Sequence, residues 1–143
     1  MKPSKELSDI RETQKYLICL SERSEYLRST LYGRAICYDR DKVQTSPADM
    51  MCERLSEVCD HDARIRKRQK KLDRRKDIMR AYLDRLDNPD HARVLDLYYL
   101  SLSSDGRLLS WEDVARIVGV SRRTVFRHAE DAQKNLNDIL YIY

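Results

Sequence analysis

The chain has 143 residues, 36% of them charged, with only three glycines, three prolines and one phenylalanine. That composition favours long helices over strands and tight turns, and no apolar run approaches a membrane span. The 28 Lys/Arg against 24 Asp/Glu are unevenly placed: residues 1–87 carry 21 against 16, residues 88–143 seven against eight.

A first helix is expected over roughly Lys5 to Tyr32. Ile10, Leu17, Leu20, Leu27 and Leu31 recur there at helical spacing, giving one apolar stripe that needs a partner. The stretch from Gly33 to Thr45 is polar and reads as a connection, with Ile36, Tyr38 and Val43 as residues that would dock on the helices. The opening residues MKPSKELSDI lack the apolar core of a signal peptide, so a cytoplasmic protein is expected. Cys19, Cys37, Cys52 and Cys59 form no C-x-x-C pair. They read as ordinary buried or half-buried thiols of a reducing compartment, with no metal and no other cofactor expected.

Ser46-Pro47-Ala48-Asp49 opens the longest element with a cap, a first-turn proline and an acid three residues after the cap. From there to Asp87, Met51, Val58, Ile65, Leu72, Met79 and Leu86 recur every seven residues. The alternate seam positions are Leu55, Asp62, Gln69, Lys76 and Leu83, apolar only at the two ends. This seam is narrower than a strong dimeric coiled coil wants. The simplest partner is the first helix folded back antiparallel into a hairpin, and self-association into a homodimer through the same seam is the alternative. Between Arg64 and Arg80 lie ten Lys/Arg against Asp73 and Asp77. Opposite charges stabilise exposed helices, so an excess of one sign points to a ligand. Arg64, Arg66, Lys67, Arg68, Lys70, Lys71, Arg74 and Arg75 are therefore candidates for contact with DNA phosphates or an acidic protein partner.

Asn88-Pro89 breaks this helix and starts another from Asp90 to about Leu102, whose Val94, Leu95, Leu97, Tyr98, Tyr99 and Leu102 suggest a support helix. Ser110 then reads as an N-cap, with Asp113 in the first turn and Leu109 and Val114 at the positions of a hydrophobic staple. Val114, Ala115, Ile117 and Val118 form the apolar run of a short helix that stops at Gly119, where a left-handed turn is expected. Ser121 caps a second helix with Val125, Ala129 and Ala132 facing inward. Two short helices joined by a glycine turn make a helix-turn-helix, whose second helix commonly enters the DNA major groove. Its outward residues are Ser121, Arg122, Arg123, Phe126 and Arg127, and arginine forks pair well with guanine edges or phosphates. His128 occupies an inward place and is read as a hydrogen-bonded core histidine, and Leu136, Ile139 and Leu140 would return to the support helix or meet another chain.

With these residues in place, the sequence resembles a family of small proteins encoded by phages and mobile elements of Gram-positive bacteria, which includes late-gene regulators of the ArpU and RinA type. The resemblance rests on DKVQTSPADM at 41–50, the long charged helix, RVLDLYYL at 93–100 and SWEDVARIVGVSRRTVFRHAEDA at 110–132. The C-terminal part is also similar to the promoter-binding C-terminal domain of sigma factors. In that comparison Arg122, Arg123, Phe126 and Arg127 match the DNA-contacting positions, and an aliphatic residue usually stands at the place of His128. The resemblance implies an all-helical fold and no enzymatic activity.

The expectation is an all-α chain: a helical hairpin over 1–87 and a three-helix, sigma-like helix-turn-helix unit over 88–143. Its expected partner is double-stranded DNA, with RNA polymerase or a sigma factor as a further one, and with neither a membrane nor a small-molecule substrate. No nucleophile with a base, glycine-rich phosphate loop or metal cluster suggests an enzyme. The expected function is transcription regulation, activating phage late genes. Its alternatives are a small-terminase-like DNA-packaging subunit and a protein-binding module acting on polymerase or sigma factor.

Overall fold

The computed structural model describes residues 3–36 and 47–142. Among these, five helices follow one another: α1 (Pro3–Ile36), α2 (Pro47–Leu83), α3 (Pro89–Leu95), α4 (Trp111–Val118) and α5 (Arg122–Ile142). A π-helical turn over Asp96–Leu100 continues α3, and an isolated antiparallel bridge joins Leu102 to Leu108. The expected helical hairpin and small helical unit are both present. Among the described residues no helix is long and apolar enough to cross a membrane. The expectations for Ser46, Cys37, Tyr38 and Val43, and those for the side chains of Ile36 and Leu140, lie outside what the structure describes.

The chain forms two compact units, Tyr16–Lys70 and Met1–Lys15 with Lys71–Tyr143. They divide within α1 and α2, whereas the sequence-based boundary at 87/88 follows the break at Asn88-Pro89.

In the unit Tyr16–Lys70 the two long helices run antiparallel, so that Tyr16 lies by Arg68 and Leu20 by His61. Leu17, Leu31 and Val58 are buried, and a polar cluster shares the seam. Asp62 accepts the Ser24 hydroxyl and the Arg28 guanidinium, and a ring nitrogen of His61 lies 3.2 Å from the Leu20 carbonyl oxygen. The polar residue at this alternate seam position thus has partners on α1. Met51 and Leu55 stay exposed, so the apolar spacing is not used at that end. Cys19, Cys52 and Cys59 are free and exposed rather than buried or half-buried as expected.

In the other unit Leu7 and Ile10 of α1 and Leu72, Met79 and Leu83 of α2 are all within 3% of full burial. Each contributes roughly 2 kcal/mol relative to exposure. The seam expected to pair either within the chain or between chains is here covered by the chain itself. Arg75 clasps Glu6 across it, Nη2 to Oε1 at 2.8 Å. Two polar side chains, Gln14 and Lys76, are buried in the same stretch.

Local chemistry sets the remaining boundaries. The Asn88 side chain accepts the Asp90 N–H at 3.0 Å and Pro89 occupies the first turn, which together start α3. The helix was expected to reach Leu102. It instead widens into the π turn and ends at Leu100, leaving Leu102 exposed beside its bridge to Leu108. Val94, Leu95, Tyr99 and Leu100 are buried as a support helix requires.

Candidate nucleic-acid interface

α4 begins with a complete capping box. The Asp113 N–H donates to Ser110 Oγ at 3.2 Å, and the Ser110 N–H donates back to the Asp113 carboxylate at 3.0 Å. That backbone donor, followed by the Ser110 hydroxyl, holds the Asp113 carboxyl below the usual carboxylate range. Leu109 and Val114, the staple pair, are both buried.

The inward stripe of α4 is Trp111, Val114, Ala115 and Val118, spaced at threes and fours. Ile117 was expected to share it. It falls to one side of that stripe and is 47% exposed. α4 ends at Gly119, whose φ of 79° is left-handed, and the Gly119 and Val120 N–H groups both donate to the Ala115 carbonyl.

The chain re-enters a helix at once. Ser121 Oγ accepts the Thr124 N–H at 3.2 Å, and α5 presents Val125, Ala129, Ala132 and Leu136 to the core, each 5% exposed or less. With that face buried, the opposite side is fixed. Ser121, Arg122, Arg123, Phe126 and Arg127 are all exposed, so the five residues expected as a reading face do share the accessible side of the helix start.

They are not equivalent. Arg122 reaches Glu112 of α4, Nη1 to Oε1 at 3.3 Å, while its guanidinium lies 5.4 Å from the Phe126 ring centre. Among the described residues no ion pair engages Arg123 or Arg127. Behind Phe126 runs a stack that the sequence does not suggest. The Phe126 ring is 5.3 Å from Trp111, Trp111 lies flat on Tyr98 at 3.6 Å, and the Arg11 guanidinium covers Tyr98 at 3.8 Å. Arg11, on α1, also donates to the carbonyl oxygens of Tyr98 and, at 3.1 Å, Leu109. One side chain therefore ties α1 to the π turn and to the segment leading into α4.

Tyr99, the neighbour of Tyr98 in the π turn, accepts from Gln133 Nε2 of α5 at 3.0 Å, and burial raises its hydroxyl pKa. His128 is half-buried with its ring centre 5.1 Å from that of His91 on α3. His128 was expected as a hydrogen-bonded core histidine; it is instead held at the edge of the core by this ring contact between facing helices.

The ten basic residues between Arg64 and Arg80 of α2 divide by environment. In the unit Tyr16–Lys70, Arg64, Arg66, Lys67, Arg68 and Lys70 are exposed, and Arg68 leans 5.3 Å over the Tyr16 ring. In the other unit Lys71 and Arg74 are exposed, but Arg75 is half-buried against Glu6 and Arg80 pairs with Asp96 at 3.1 Å. Lys76 is buried, and desolvation depresses its pKa, opposed by the nearby Asp73 and Asp96 carboxylates. Arg75 thus has a structural partner, while the other seven candidate cations of α2 are exposed.

Comparison of the chain with protein-family models, curated proteins and solved structures finds no match.

Proposed function

We propose that the protein is a non-enzymatic, sequence-specific DNA-binding transcription regulator of the phage late-activator type, acting in the bacterial cytosol. The observation that carries the proposal is the exposed start of α5. A capped helix follows a left-handed glycine turn, and it offers Arg122, Arg123, Phe126 and Arg127 on the side opposite its buried stripe. Such a helix fits the major groove, where arginine forks pair with guanine O6 and N7. The exposed Lys/Arg of α2 supply attraction to phosphates, which the C-terminal half, with seven Lys/Arg against eight Asp/Glu, does not. The resemblance to late regulators extends the proposal to contact with RNA polymerase or a sigma factor at the promoter.

The test is repeated selection of bound duplexes from a random-sequence pool by the full chain. The proposal expects a recurrent short sequence with a defined footprint. A pool that stays random through successive rounds would overturn it.

A further inference from the structure

We infer that Phe126 is a specificity-determining residue that reads the 5-methyl group of a thymine beside the guanines contacted by the arginines of α5. The inference rests on the reading of α5 as a DNA-recognition helix and names the base chemistry it selects.

Phe126 is the only phenylalanine of the chain, and it stands 38% exposed among three exposed arginines. Burying that ring would be favourable, yet the packing gives it no inward path. The adjoining inward positions are filled by Val125 and Ala129, 0% and 5% exposed. Trp111 blocks retreat toward α4, and is itself pinned by the stack on Tyr98 and Arg11. Arg122 lies on the ring with its guanidinium held toward Glu112. An apolar surface is therefore presented at a fixed place in the middle of a charged face.

The floor of the major groove offers hydrogen-bond donors and acceptors at every base pair and one apolar group, the thymine methyl. A phenyl ring pressed on a donor or acceptor would strip its water and return no hydrogen bond, which is unfavourable. Against the methyl group both partners lose only apolar surface to water, which is favourable. The contacted base step must then include thymine next to the guanines that the arginines recognise.

The experiment uses the full chain and its enriched duplex. Each thymine is replaced in turn by deoxyuridine, which removes the methyl group and leaves every donor and acceptor in place. At one position the wild-type protein is expected to lose roughly fourfold in affinity, the worth of one buried methyl-sized group. Phe126→Ala is expected to bind the thymine and deoxyuridine duplexes equally. Arg123→Ala is expected to bind more weakly while keeping the fourfold preference. Equal wild-type affinity at every position, or an enriched site without thymine, overturns the inference and leaves the DNA-binding proposal standing. A preference that survives in Phe126→Ala assigns the methyl contact to another residue and likewise overturns it. Failure to enrich any sequence removes both.

Discussion

Tyr98 and Trp111 lie face to face, their ring centres 3.6 Å apart and their planes 8° from parallel. Tyr98 belongs to the π turn and Trp111 is the first residue of α4, so the pair joins the continuation of α3 to α4. Arg11 closes the arrangement from α1, covering Tyr98 and donating to the Tyr98 and Leu109 carbonyls. Arg11→Ala should destabilise the protein by about 2 kcal/mol, the worth of a charged donor whose acceptors are left part-buried. Arg11→Lys should recover only part of it, because an ammonium has no planar fork to span two carbonyls. Denaturant titration checks this, and unchanged stability of the alanine variant would show that the α1 contact contributes nothing.

Gly119 makes a separate case because its strain is purely of the backbone. An added Cβ meets nothing within 4 Å, yet φ is +79°. Gly119→Val should therefore cost about 1–2 kcal/mol through left-handed strain alone, and Gly119→Asn less, since asparagine tolerates that region. Thermal melts should rank glycine above asparagine above valine. A valine variant as stable as wild type would mean that the turn is not held in this conformation.

These two cases show what the sequence discloses. The Ser110–Asp113 cap, the glycine turn and the burial of Val125, Ala129 and Ala132 were legible because each depends on residues within one or two turns of each other. The exposure of Ser121 and of Arg122, Arg123, Phe126 and Arg127 of α5 was legible for the same reason, being what remains once the inward stripe is assigned. Ile117 was misplaced because a helix of eight residues carries too few apolar positions to fix the centre of its stripe. Arg11, Glu6 and the π turn were not legible at all. Arg11 meets Tyr98 and Leu109 across 87 and 98 residues of chain, and Glu6 meets Arg75 across 69. The residues Asp96 to Leu100 carry no local mark of a π turn; the stacking of Tyr98 on Trp111 and the Tyr99–Gln133 hydrogen bond accompany it.

Lys76 is 8% exposed, and burial lowers its pKa below the ordinary lysine value. Between the folded and unfolded values the unfolded chain binds more protons, so this group makes stability rise as pH climbs toward about 10.5. Below that window the buried ammonium is a standing cost. Lys76→Met should raise stability at neutral pH on the order of 1 kcal/mol and flatten the rise at alkaline pH. Denaturant midpoints between neutrality and pH 10 measure both. A methionine variant less stable at pH 7 would show that the ammonium makes net favourable contacts with Asp73 and Asp96.

The basic residues of α2 separate into structural and available charges. Arg75→Ala should lower stability, since it leaves the part-buried Glu6 carboxylate without its partner. Replacing Arg66, Lys67 and Lys70 together by Gln should leave the fold intact, because all three are exposed and Gln is a good helix former. If they contact phosphates, the triple variant should bind enriched and random duplexes more weakly alike. Its salt dependence should fall by roughly one unit for each phosphate that is no longer neutralised. An unaltered salt slope would assign these charges to an acidic protein partner instead.

In the proposed function the exposed start of α5 reads base pairs. The most direct measurement is the affinity of Arg122→Ala, Arg123→Ala and Arg127→Ala for the enriched duplex and for random duplexes, each variant first matched to wild type in thermal stability. Loss of a guanine contact should cost about 1–3 kcal/mol on the enriched site and far less on random DNA. Arg123 and Arg127, which no ion pair engages among the described residues, should lose most. Arg122, already paired with Glu112, should lose least. Three variants that bind the enriched duplex as tightly as wild type would contradict the account.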